Sequence, residues 1–164
     1  MGQAIKKNKV EYIDRVHGNS KGWITRSCID ENGYSQWHYK YLELKETDLT
    51  GENIYITLNT FYKPCRRLEC IKELNFVYID LDYYKTKYTK EQVIMNLESN
   101  YFNKIIPATN YIIDSGRGLA LLWNINKVPS QALPLWKAIQ EYLYHQLKEF
   151  GADRQALDAT RILR

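Results

Sequence analysis

Apolar and polar positions along the chain sort it into strands and helices. Residues 23–28 and 35–44 read as strands, with the turn-formers Asp30, Glu31, Asn32 and Gly33 between them. Residues 53–58 read as a further short strand. Residues 75–81, Asn-Phe-Val-Tyr-Ile-Asp-Leu, are rich in β-branched and aromatic side chains and predict a central, buried strand. The period then changes. Thr89 followed by Gln92 has the form of a capping box, and Val93, Leu97 and Tyr101 come at helical spacing, so a helix is predicted over about 90–100. Residues 111–114 and 119–125 read as two strands joined by Ser115-Gly116-Arg117-Gly118. A long amphipathic helix is predicted over 131–149, with Leu135, Ile139, Tyr142, Leu143 and Leu147 as its apolar stripe and Gly151 as its end. Residues 1–20 are polar and expected to be loosely held. Interspersed strands and helices with one tight hairpin predict a mixed α+β layer rather than a fully parallel sheet.

Composition narrows the function classes. At 164 residues and 45% hydrophobic, the chain is long enough for one domain with its own core. Fourteen tyrosines and four tryptophans are many for this size, and can serve as core, as platforms for stacking bases, or as both. A net charge of +4 permits a nucleic-acid partner without demanding one. No apolar run approaches the roughly 20 residues of a membrane helix, so no membrane partner is expected. No apolar segment follows Lys6 and Lys7, and Lys6 breaks the myristoylation pattern that Gly2 opens, so a cytoplasmic location is expected. Cys28, Cys65 and Cys70 read as free thiols in a reducing compartment; a zinc site would need a fourth ligand such as His17 or His38. The chain stops at Arg164 within a charged stretch that reads as helical, which predicts a fragment of a longer polypeptide.

Three constellations carry chemistry. Asp80 and Asp82 alternate with Leu81 at the end of the predicted central strand, so both carboxylates face the same way, about 6.6–7 Å apart. Paired carboxylates suit a hard divalent cation, Mg²⁺ or Mn²⁺, although a solvated acidic turn would look the same. The turn Asp114-Ser115-Gly116-Arg117-Gly118 offers glycines for close backbone approach, N–H groups for an anion, the Ser115 hydroxyl and the Arg117 fork. A plain hairpin would also use two glycines. Last, if 153–164 is helical, Asp158 and Arg161 share a face, as a surface ion pair or as a metal ligand with Arg161 and Arg164 facing phosphates.

In this order the motifs resemble the archaeo-eukaryotic primase superfamily, nearest its primase-like replication proteins of plasmids, phages and integrated mobile elements. The similarity lies in Leu58 to Pro64, Tyr78 to Asp82, Asp114 to Leu119 and Ala156 to Arg164, across about residues 50–164. The resemblance implies a primase-polymerase fold: an RRM-like antiparallel or mixed sheet core with flanking helices, plus a small N-terminal α/β unit. It implies one catalytic domain over 1–164, and template-directed nucleotidyl transfer by two-metal carboxylate catalysis. Asp80, Asp82 and Asp158 are then the catalytic metal ligands. Ser115, Gly116, Arg117, Gly118, Arg161 and Arg164 are the nucleotide-binding residues. The implied partners are a single-stranded DNA template, nucleoside triphosphates, and a helicase on the same longer chain or a separate one.

Two features depart from the superfamily. Its second motif carries a histidine where this chain has Ala120, and it continues past the third motif, where this chain ends. Two other functions therefore stand beside polymerisation: a non-catalytic nucleic-acid or nucleotide-binding relative, and a metal-dependent nuclease. His17, His38 and His145 form no His-x-His, which argues against a tyrosine relaxase.

Overall fold

The first two expected strands form a hairpin in the computed structural model, which describes residues 11–163 apart from Thr50 and Glu52. In chain order the elements are α1 (11–17), β1 (Ile24–Asp30), β2 (Gly33–Tyr39), α2 (Tyr41–Glu46), β3 (Ile54–Thr57), β4 (Thr60–Phe61), β5 (Ile71–Leu81), α3 (Lys90–Asn96), β6 (Tyr111–Asp114), β7 (Leu119–Pro129), α4 (Leu133–Leu147) and β8 (Ile162–Leu163). They divide into two compact units, one made of the chain up to Asn75, Lys127–Ser130 and the chain from Ala159 on, the other of Phe76–Asn126 and Gln131–Asp158.

In the first unit an antiparallel sheet has the order β2-β1-β3-β8. Ile13, Ile24, Leu44 and Leu49 form its core, with Tyr39, Tyr41, Ile54 and Ile56 packed against them. Three expectations need correction here. Of the supposedly loose N-terminal stretch, residues 1–10 lie outside the described residues, but 11–17 are helical and bury Ile13, Val16 and His17. Residues 41–44 are helical rather than strand, because Glu43 Oε2 accepts the Lys40 backbone N–H at 2.7 Å and caps a turn that carries Leu44 into the core. The C-terminal stretch is not a helix. Its helical part is a single 3₁₀ turn, Arg154–Ala156, at its start, and β8 at its end pairs with β3, so Asp158 and Arg161 share no helical face. Ala159 is held by its carbonyl, which accepts from Asn59 Nδ2 at 2.9 Å; Asn59 Oδ1 in turn accepts the Asn75 N–H at 2.8 Å.

The second sheet has the order β4-β5-β7-β6. Residues 71–75 of β5 belong to the first unit with β4; from Phe76 on, β5 belongs to the second with the β6–β7 hairpin, whose register runs from Tyr111↔Leu122 to Asp114↔Leu119. The capping box is present: Gln92 Oε1 accepts the Thr89 N–H and Thr89 Oγ1 accepts the Gln92 N–H. In α4 the buried row is Trp136, Gln140, Leu143 and Leu147, while Leu135, Ile139 and Tyr142 are 63%, 38% and 47% exposed, so the expected stripe is rotated. Hydrogen bonding decides the rotation. Trp136 Nε1 donates to the Phe76 carbonyl at 2.8 Å, and Gln140 Oε1 accepts the Tyr78 N–H at 3.0 Å. Buried strand groups need partners, and α4 supplies them through its side chains. Among the described residues no helix is long and apolar enough to cross a membrane.

His17 gives the first unit a pH signature. It is fully buried, its Nε2–H donates to the Thr57 carbonyl at 2.7 Å, and burial pushes its pKa from 6.5 down to about 4. The folded state therefore resists a proton that the unfolded chain accepts. This stability is present above pH 6.5 and is lost as pH falls toward 4, by roughly 3 kcal/mol in total. Urea unfolding across that range is expected to show the loss in the native chain and a flatter profile in His17→Gln.

Candidate active site

The end of β5 carries the paired acids. Leu81 is fully buried, Asp80 is half-buried, and Asp82 stands just past the strand, where the chain turns into a 3₁₀ turn at Tyr83–Lys85. Residues 76, 78, 80 and 82 turn their peptide groups to one edge of the strand. There, beyond the α4 side chains, the Asp80 carbonyl accepts the Asp153 N–H at 2.8 Å and the Asp82 N–H donates to the Gly151 carbonyl at 2.8 Å. Gly151, at φ +81°, ends the helical segment as expected, and a Cβ on it would sit 2.6 Å from the Asp82 carbonyl oxygen. The Tyr78 hydroxyl donates to the Asp158 carbonyl. Tyr78 and Asp80 lie on the same face of β5, so this bond brings the Asp158 backbone to the acid-bearing face.

The β6–β7 loop reaches the same place. A Cβ on Gly118 would lie 2.7 Å from the Leu81 carbonyl oxygen and 3.6 Å from Asp82 Oδ1, so the loop backbone lies directly against the acidic motif. Three of its N–H groups are turned inward rather than free for an anion. Ser115 N–H donates to the Gly118 carbonyl, Gly116 N–H to Asp114 Oδ1, and Gly118 N–H to Ser115 Oγ, at 3.0, 2.7 and 3.1 Å. The Ser115 hydroxyl is engaged inside the turn, and Arg117 is exposed at its tip.

Two lysines that the motifs did not single out balance the acids. Lys85 Nζ pairs with Asp82 Oδ2 at 2.6 Å, which raises the Lys85 pKa. Lys90, first residue of α3, pairs with Asp114 at 3.0 Å. The Gly116 N–H first, and Lys90 second, hold the Asp114 carboxyl below its usual range, and the pairing raises Lys90. Both cations were within reach of sequence reasoning, since Lys85 follows Asp82 at i+3 and Lys90 follows the Thr89 cap.

An all-oxygen donor set on Asp80, Asp82 and Asp158 fits a hard divalent cation in its chemistry. As it stands Asp82 faces the Lys85 ammonium instead, and among the described residues no group of three His, Cys, Asp or Glu side chains is arranged to hold a metal ion.

No protein-family model matches the chain. It is similar to the AEP domain of the cyanophage S-2L primase-polymerase, with a TM-score of 0.64, 14% identity, and coverage of 96% of this chain and 80% of that one. The chain has the primase-polymerase fold. A "Replication protein" of Clostridium perfringens is 74% identical over all 164 residues, and the chain spans 40% of that relative's length.

On the primase-polymerase fold the expected site residues divide. Asp80, Asp82, Asp158 and the loop Ser115, Gly116, Arg117 and Gly118 all lie in the second unit. Arg161 is half-buried in the first unit, and Arg164 lies outside the described residues. Ala120, where the superfamily carries histidine, is buried on β7 opposite Ile113.

The two loop glycines make contrasting tests. Gly118→Ala forces a methyl group into the Leu81 carbonyl and is expected to cost about 1–3 kcal/mol in urea unfolding, as overpacking does. Gly116 has φ +88° with nothing within 4 Å of its missing Cβ, so Gly116→Ala is expected to cost only the left-handed backbone term, about 1–2 kcal/mol.

Proposed function

We propose that the chain is the catalytic domain of a longer replication protein of a plasmid, phage or other mobile element. It joins nucleotides on a single-stranded DNA template, with Asp80, Asp82 and Asp158 as ligands for Mg²⁺ or Mn²⁺. One observation carries this reading. Gly118 and Gly151 both press on the Leu81–Asp82 segment and Tyr78 binds the Asp158 carbonyl, so segments about 80 residues apart contact the acid-bearing strand, in a fold shared with a phage primase-polymerase. The name of the 74% identical relative supports the replication role.

The chain's own residues have defined tasks in this reading. The peptide bonds of residues 80–82 fix where the two carboxylates start, so little rearrangement is needed to aim them. Lys85 neutralises Asp82, which with Asp80 and Asp158 would hold the divalent cation. Lys90 and Asp114 brace the loop that presents the Arg117 guanidinium, whose fork suits phosphate oxygens. What divalent cations supply when bound is activation of the attacking hydroxyl and neutralisation of the triphosphate. The template and nucleoside triphosphates are the partners, a helicase acts on the same longer chain or separately, and the protein works in the cytoplasm.

Primer synthesis and extension on single-stranded DNA with Mg²⁺ or Mn²⁺ tests the proposal. The native chain is expected to give product, and Asp80→Asn with Asp82→Asn to reduce it at least about 10³-fold. The melting temperature of that double variant in metal-free buffer is expected to hold or rise, because like-charge repulsion is removed; a large fall would count against paired ligands. DNA binding without product would sink the polymerase reading and leave the binding domain that Ala120 favours. Cleavage with Mn²⁺ and no nucleotide would identify a nuclease.

A further inference from the structure

The first unit holds a group of cations that this chemistry does not use. Lys40 Nζ and Lys72 Nζ both donate to one acceptor, the Lys21 carbonyl oxygen, at 3.2 and 3.3 Å. Each ammonium also lies over an aromatic ring. Lys40 stands 4.4 Å from the Trp23 ring centroid and Lys72 5.7 Å from that of Tyr62.

The point they share is firmly held. Trp23 and Phe61 exchange both backbone hydrogen bonds, at 2.7 and 2.9 Å. Gly22 lies so close to β4 that a Cβ would stand 2.3 Å from Thr60 Oγ1. Among the described residues no carboxylate forms an ion pair with Lys21, Lys40 or Lys72. The neighbouring acids are turned elsewhere: Glu43 accepts the Lys40 backbone N–H and Glu73 the Thr60 hydroxyl.

Two ammonium groups converging on one neutral oxygen repel each other, and a carbonyl dipole compensates them only in part. An anion with several oxygens, set between them, satisfies both. Tyr62 is 58% exposed and offers a flat face beside the cations. Phosphates spaced along a strand and bases that stack are the features a single-stranded nucleic acid presents together.

We propose that Lys40 and Lys72 bind the phosphate backbone of single-stranded nucleic acid, with Tyr62 stacking on a base. The proposal rests on the nucleic-acid part of the functional reading and gives the strand a binding surface on the first unit. A free nucleoside triphosphate presents the same phosphate oxygens, so the test includes both.

Anisotropy of a fluorescein-labelled oligothymidylate is followed against salt in metal-free buffer. The native chain is expected to bind. Lys40→Gln with Lys72→Gln is expected to weaken binding about tenfold and to reduce the salt slope by about 1.4, two phosphate contacts at about 0.7 each. Lys40→Arg with Lys72→Arg keeps the affinity, and Tyr62→Ala weakens it without changing the slope. Unchanged binding in the double Gln variant, or no binding by the native chain, overturns the proposal. So does a double Gln variant that loses thymidine triphosphate while keeping the oligonucleotide. Primer extension separates the two readings. Binding that depends on the lysines without any extension by the native chain upholds this surface and sinks the polymerase. Asp80- and Asp82-dependent extension with lysine-independent binding does the reverse.

Discussion

The Leu81–Asp82 segment is held between two backbones that carry no side chains. Gly118 meets its carbonyl from the β6–β7 loop, and Gly151 meets Asp82 from the end of the α4 segment. Neither contact leaves room for a Cβ. The acid pair, the loop and the 151–153 segment therefore hold one geometry together, and moving any one of them moves the others. This is close backbone packing of the kind glycine alone permits.

The same edge of β5 shows why α4 lies where it does. Phe76, Tyr78, Asp80 and Asp82 present successive peptide groups along one edge, and an unpaired edge inside a fold is costly. Trp136 and Gln140 serve the first two, and Gly151 and Asp153 serve the next two. One continuous piece of chain, from helix to αL turn to extended segment, thus completes the strand that bears the acids. Tyr78 then links that strand to Asp158, further along the same chain segment. Stability and site geometry rest on the same bonds.

That dependence sets how much the sequence could reveal. The Asp80–Asp82 strand, the Thr89–Gln92 box and the Gly-rich hairpin were legible because each is a local pattern with a local cause. The face of α4 was not. Counting apolar residues selects Leu135, Ile139 and Tyr142, yet a buried glutamine outweighs them, because Gln140 answers a strand N–H 62 residues earlier. The engagement of the Ser115 hydroxyl within its turn was hidden for a related reason. Its chemistry suits phosphate, but here it donates to the Gly118 carbonyl and accepts the Gly118 N–H across its own turn. Residues 41–44 could follow either period, and only the Glu43 cap, with Leu44 in the core, selects helix.

Charge is arranged by a similar logic in both units. In the second, two acids near the loop each have a lysine, Asp82 with Lys85 and Asp114 with Lys90. Such pairs add little stability, being exposed to solvent and screened by salt. They leave each of these two acids beside a countercharge. In the first unit Lys40 and Lys72 converge on a carbonyl without a carboxylate partner among the described residues. Paired lysines beside acids and gathered lysines beside rings serve opposite ends. The first cancel negative charge locally, and the second gather positive charge on one surface.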